Sequence, residues 1–173
     1  LLPALLFLGF TFGYLQQGLT CAGCGPLVLF SLSATVCFAC SSAYHTFSCL
    51  GHVQLASVDY VGICLFMGGI LHSSVHYGFY CHAASALAYT AIVAILCAGL
   101  TVLSLHPRFH SPAYASLRKY FFLALALFAL VPMTHWVILQ GSGGEEFNLF
   151  FGRMVVSWML IGVAFFFYVS KFP

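Results

Sequence analysis

Apolar residues along this chain come in long unbroken runs, separated by short polar or turn-forming clusters. The runs cover residues 1–19, 26–48, 59–80, 83–105, 118–140 and 149–171. The breaks read QQGLTCAGCGP, LGHVQLAS, YCH, HPRFHSPAYAS and QGSGGEEFN, most of them rich in the Gly, Pro and Ser that punctuate regular structure. A helix rising about 1.5 Å per residue needs about 20 apolar residues to cross about 30 Å of hydrocarbon. Each run meets that need. Strands of a membrane barrel would instead alternate apolar and polar residues over about ten positions, and these runs do not alternate. The pattern predicts an all-α integral membrane protein, with six transmembrane helices in one helical domain over 1–173 and no room for a soluble domain in the loops.

Composition agrees. Hydrophobic residues make up 62% of the chain and charged residues 5%, with a mean hydropathy of +1.05. Soluble domains carry about 25% charged residues because their surfaces face water; this exterior must face lipid. Five basic residues cannot build a phosphate-tracking surface, so nucleic acid is excluded as a partner. Membrane lipids are the expected surroundings.

The few charges predict orientation. Following six spans, Arg108, Arg118, Lys119 and Lys171 fall on one side together with the 49–58 loop, while Arg153 falls opposite with Glu145 and Glu146. Basic residues concentrate on the cytosolic side, which places the end of the second run and the start of the third there. The chain opens on Leu1 and closes at Pro173, just after an apolar run, and reads as part of a longer protein. The first run is too long for a signal peptide and lacks its basic flank and cleavage pattern.

Against this background the stretch SSAYHTFSCLGHVQLASVDY, residues 41–60, stands out. Asp59 is one of three acidic residues, and the other two, Glu145 and Glu146, share a glycine-rich break. Ser41 and His45, four apart, lie on one face of a helix. If the second and third helices are antiparallel neighbours, His45 and Asp59 meet at one depth. A lone carboxylate at a membrane helix end has a partner or a wet cavity; the simpler reading is that Asp59 caps the third helix. A His and an Asp can serve a metal, yet catalytic zinc takes three protein ligands, so the cluster is incomplete on spacing alone.

Other groups compete for attention. His72 and His76 share a face but lie 13 or more residues past Asp59, about 20 Å along a helix, and read as interfacial residues among Tyr77, Phe79 and Tyr80. His106 and His110 straddle Pro107 and read as solvated. His135 or Thr134 can satisfy the carbonyl freed by Pro132. Gly68, Gly69 and Gly99 predict close helix packing. Cys37, Cys40, Cys49, Cys64, Cys81 and Cys97 read as small buried hydrophobes, whereas Cys21 and Cys24 are either a redox or metal pair or loop cysteines without such a role. A transporter or channel is disfavoured, because only one acidic residue lies in the spans.

Ser41-x-x-x-His45, a short loop, and LASVDYVGI around Asp59 resemble the progestin and adiponectin receptor family, the haemolysin-III-like proteins. YGFYC at 77–81, HP followed by LRKYFF across 106–122, LVPMTHWVILQG at 130–141 and the closing FFFYVSKFP extend the resemblance, in order, over nearly the whole chain. It implies a seven-helix bundle with a cytosolic amino terminus, here without the final helix, in the plasma membrane or an endomembrane such as the Golgi. It further implies zinc near the cytosolic face, with His45 as one ligand and an H-x-x-x-H pair on helix seven supplying two more. Asp59 would hold the zinc-bound water and Ser41 would lie close by, an arrangement similar to that of the alkaline ceramidases. The implied function is a signalling receptor for a protein or lipid-like ligand, with lipid-amide hydrolysis as its chemistry. The rival is a non-catalytic tether or scaffold. Two departures stand out: the helix-seven pair is not in this sequence, and the His45–Asp59 interval is shorter and less basic than in the relatives.

Overall fold

A computed structural model describes residues 1–18, 23–47, 53–141 and 144–170. Among these the structure is entirely helical, with α1 at Leu2–Gly18, α2 at Gly25–Phe47, α3 at Val53–Gly78, α4 at Ala83–Leu105, α5 at Ala115–Phe128, α6 at Leu130–Gln140 and α7 at Glu145–Ser170. Two short 3-10 turns, Pro107–His110 and Pro112–Tyr114, join α4 to α5. Five stretches are long and apolar enough to cross a membrane, α5 and α6 counting as one, and α1 is a shorter apolar helix. These are the six expected runs.

The break inside the fifth span has a local cause. Pro132 has no N–H and its ring crowds the carbonyl four residues back, that of Phe128. Helix α5 therefore closes there, and the Ala129 N–H turns to the Ala126 carbonyl at 3.0 Å. Of the two residues offered for the freed carbonyl, His135 and Thr134, Thr134 turns its hydroxyl elsewhere, donating to Val131 O at 2.9 Å. At the end of α6, Gly141 takes φ +70° and its N–H bonds Val137 O at 3.1 Å, a left-handed helix stop that favours glycine.

The chain divides into two units, Leu1–Leu130 and Val131–Pro173. In the first, α2 and α3 form an antiparallel pair in tight contact. A Cβ built on Gly62 would come within 3.1 Å of Cys37 Cα and 3.3 Å of Cys40 Cβ; one on Gly69 would fall 2.2 Å from Ser33 Oγ and 3.4 Å from Phe30 Cα. Between them Phe66 packs on Phe30 and Phe38, with ring centroids 5.9 Å away in both cases, and Phe7 of α1 stacks on Phe38 at 5.6 Å. Farther along, Ser73 donates to Pro26 O and Tyr77 to Gly23 O, both at 2.7 Å. Positions 59, 62, 66, 69 and 73 thus form one stripe spaced by three and four, the seam of a helix pair. With lipid on the outside there is no hydrophobic drive between helices, so small residues that let backbones approach hold the pair together.

The opposite side of α3 meets α4 and α5 in a core of Cys64, Leu71, Val93, Leu100 and Leu125. A Cβ on Gly68 would lie 3.2 Å from Cys97 Sγ, so Gly68 and Gly69 both serve close packing, on different neighbours; Gly99 has nothing within 4 Å and does not. Cys37 and Cys64 are buried and Cys40 and Cys97 half-buried, but Cys81 is exposed at the α3–α4 turn, against expectation. Cys49 and Cys21 lie outside the described residues, and with Cys21 the proposed pairing with Cys24.

In the second unit, α7 places apolar side chains outward along its whole span, Met159 and Leu160 among them. That is the surface of a helix bathed in lipid.

Candidate functional site

Helix α3 begins at Val53, so Asp59 stands nearly two turns inside it. The capping role is therefore excluded: a cap has to precede the first turn. The early start also explains why the third apolar run underestimates its helix, since VQLASV is amphipathic rather than apolar.

The α2–α3 register sets the depth of each candidate residue. Gly62 faces Cys37 and Cys40, and Asp59, one turn earlier on the same stripe, falls level with Ser41. The same register puts it one turn from the point where Gly62 meets Cys37 and Cys40. His45 is about one further turn, roughly 6 Å, toward the end of α2. The structure thus brings Asp59 level with Ser41 rather than with His45. His45 is exposed, with its ring 5.1 Å from that of Tyr44. Ser41 is half-buried.

Asp59 is half-buried as a residue, but its Oδ1 is fully enclosed and has no hydrogen-bond partner among the described residues. Other polar side chains of this helix pair are satisfied locally: Ser31 donates to Leu27 O at 2.9 Å, Ser33 to Phe30 O at 2.8 Å, Thr35 to Ser31 O at 2.8 Å and Ser42 to Phe38 O at 2.7 Å. Side chains in apolar helices commonly bond their own backbone in this way. Asp59 has no such recourse, because a carboxylate only accepts, and helix carbonyls only accept as well.

The neighbouring Tyr60 is held from the other side. Its ring stacks on Phe122 with centroids 5.8 Å apart, and the Arg118 guanidinium lies 5.8 Å from its centroid and 5.9 Å from that of Phe109. Arg118 also donates to Phe109 O and, at 3.1 Å, to Ser111 O. The basic loop and the Asp59 end of α3 therefore occupy one end of the unit, as the chain pattern predicted. His72 and His76 sit at the other end, their rings 6.2 Å apart, with His76 packed on Tyr77 at 5.2 Å.

Does this end of the molecule fit a metal? The donor chemistry is apt, an imidazole and an unanswered carboxylate oxygen. The donor number is not: among the described residues no three His, Cys, Asp or Glu side chains converge to hold an ion. The residues present supply a partial set. Sequence reasoning missed Cys37, Cys40 and Gly62 as the walls around Asp59. The signal was available in the three-and-four spacing of Asp59, Gly62, Phe66, Gly69 and Ser73.

Comparison with known proteins gives the family. The profile of the family described as Haemolysin-III related matches residues 1–173. The chain is 32% identical over 143 residues to the human Progestin and adipoQ receptor family member 3, covering 80% of this chain and 46% of that protein. It is 30% identical over 148 residues to the Adiponectin receptor protein of Drosophila melanogaster, 83% of this chain and 33% of that protein. With Heptahelical transmembrane protein 3 of Arabidopsis thaliana it shares 28% over 151 residues, 86% and 44% respectively. The chain spans half or less of the length of these relatives. Its buried seam, its lone intramembrane aspartate and a match from the first residue to the last lead to one assignment: the chain belongs to the Haemolysin-III related family of multi-pass membrane proteins.

Proposed function

We propose that the chain is the membrane core of a receptor of the progestin and adiponectin receptor type, and that Ser41, His45 and Asp59 are its contribution to an intramembrane zinc site. The observation that carries this reading is the enclosed Asp59 Oδ1 with no partner among the described residues. A carboxylate held among apolar helices is strongly disfavoured unless a cation or donor answers it. In this reading His45 offers a neutral imidazole nitrogen, Asp59 an acceptor beside the metal, and an H-x-x-x-H pair on a further helix the remaining ligands. Zinc in such a place supplies Lewis acidity. The site opens to the cytosolic side, where Arg108, Arg118 and Lys119 lie, and the amino terminus is cytosolic. The ligand is a protein or a lipid-like molecule, and the chemistry, where it turns over, is hydrolysis of a lipid amide.

The test is zinc content of the full-length protein by elemental analysis. His45→Ala lowers zinc occupancy by about tenfold or more, since even outer residues of zinc sites are worth that much. Asp59→Asn keeps zinc and loses lipid-amide hydrolysis. Unchanged zinc in His45→Ala sinks the site. Full zinc with no amide turnover in the wild type leaves a receptor or tether with a structural metal.

A further inference from the structure

Two arginines stand ten residues apart in the basic loop and are used in opposite ways. Arg118 is turned inward: its guanidinium binds the carbonyls of Phe109 and Ser111 and covers two rings. Arg108 is turned outward and exposed, and its guanidinium has no protein partner among the described residues. It stands at the rim of a cavity of about 280 Å³ between the end of α4 and the start of α5. Val102, Leu103 and Leu117 give that cavity apolar walls, and Phe109 lines it from within, itself 3% exposed. His106 shares the rim, and its Nδ1 accepts from the Arg108 N–H at 3.2 Å. A neutral imidazole that accepts at Nδ1 carries its proton on Nε2, so this ring too presents a donor. No acidic residue occurs between His106 and Lys119.

We infer that this cavity is a binding site for an anionic phospholipid of the adjacent leaflet. The phosphate sits against Arg108 and His106, and the first part of an acyl chain lies on Val102, Leu103 and Leu117. The placement suits the ligand, because the apolar helix α4 ends at Leu105 and the rim begins one residue later. An apolar wall below a cationic rim, at that depth, matches the two halves of a phospholipid. Basic residues near such a surface each add attraction for anionic lipid. Arg118 makes the site possible by bracing the loop that presents Arg108.

The test mixes delipidated full-length protein in neutral detergent with equal amounts of phosphatidylserine and phosphatidylcholine, and counts retained lipids by native mass spectrometry. The wild type retains phosphatidylserine in preference. Arg108→Gln lowers that retention by about fivefold, the value of one basic residue near an anionic surface. Val102→Trp, which fills the cavity without altering charge, lowers it too; Val102 is 70% exposed, so the fold is spared. Lys119→Gln removes the same charge outside the cavity and leaves retention nearly unchanged. Equal retention of both lipids, equal loss in Arg108→Gln and Lys119→Gln, or indifference to Val102→Trp overturns the assignment.

Discussion

The two ends of the α2–α3 pair share one stripe, one register and one apolar surrounding, yet they treat polar groups differently. At one end Ser73 and Tyr77 reach across and donate to the carbonyls of Pro26 and Gly23. At the other, Asp59 sits on the same stripe, and its Oδ1 is enclosed without a partner among the described residues. A hydroxyl can always give its proton to a nearby carbonyl, so it ties helices together; a carboxylate among carbonyls cannot. The first end is built for holding. The second holds a carboxylate oxygen that no described residue answers, the observation on which the proposed site rests.

That contrast can be broken most severely in the middle, where both ends depend on close approach. Gly62→Leu drives a side chain into the backbone of Cys37, which has no room to move. It should destabilise the full-length protein by about 3 kcal/mol, read as a fall in melting temperature in lipid nanodiscs, and should abolish any function of the Asp59 end. At the Asp59 end, Asp59→Asn in full-length protein stripped of metal by a chelator alters a carboxylate whose Oδ1 no described residue answers and should stabilise that metal-free protein by about 1 kcal/mol or more, while the proposed activity of the metal-loaded protein is lost. A destabilised Asp59→Asn would mean that the carboxylate is structural after all. At the holding end, Ser73→Ala should cost about 1 kcal/mol with function kept, in the range of hydrogen bonds between membrane helices. Tyr77→Phe, where the hydroxyl is more exposed, should cost about 0.5 kcal/mol or less. Gains at Asp59 and losses at Ser73 and Tyr77, measured by the same melt, would sharpen the difference between the two ends.

A second comparison concerns packing. Gly62 and Gly69 face α2, and Gly68, next in the chain to Gly69, faces α4. Gly69→Ala should therefore be relieved in part by Ser33→Ala, which removes the oxygen its Cβ would meet, and Gly68→Ala should not be. The two substitutions at 69 and 33 should be non-additive, because they share one contact.

Much was legible from the chain itself. Hydropathy alone located the spans, because hydrocarbon thickness sets helix length and water excludes so apolar a surface. The pairing of Arg118 with the Asp59 end followed from counting crossings. What the pattern misjudged were local choices: the opening of α3, which starts at Val53 and so removes the alternative of Asp59 as a cap; the depth of His45; the idle Gly99; the exposed Cys81. Each depends on which neighbour a residue meets, and a one-dimensional pattern does not contain the neighbour.

By itself, then, the sequence determined that this is a multi-pass helical membrane protein, where its helices fall, and that Ser41, His45 and Asp59 lie near one end of it. Tertiary structure alone decided that Asp59 stands level with Ser41, walled by Cys37, Cys40 and Gly62, with an oxygen that no described residue answers. The physical reason is that lipid solvation acts on each helix separately, whereas register is set between helices, by which small residues allow two backbones to touch.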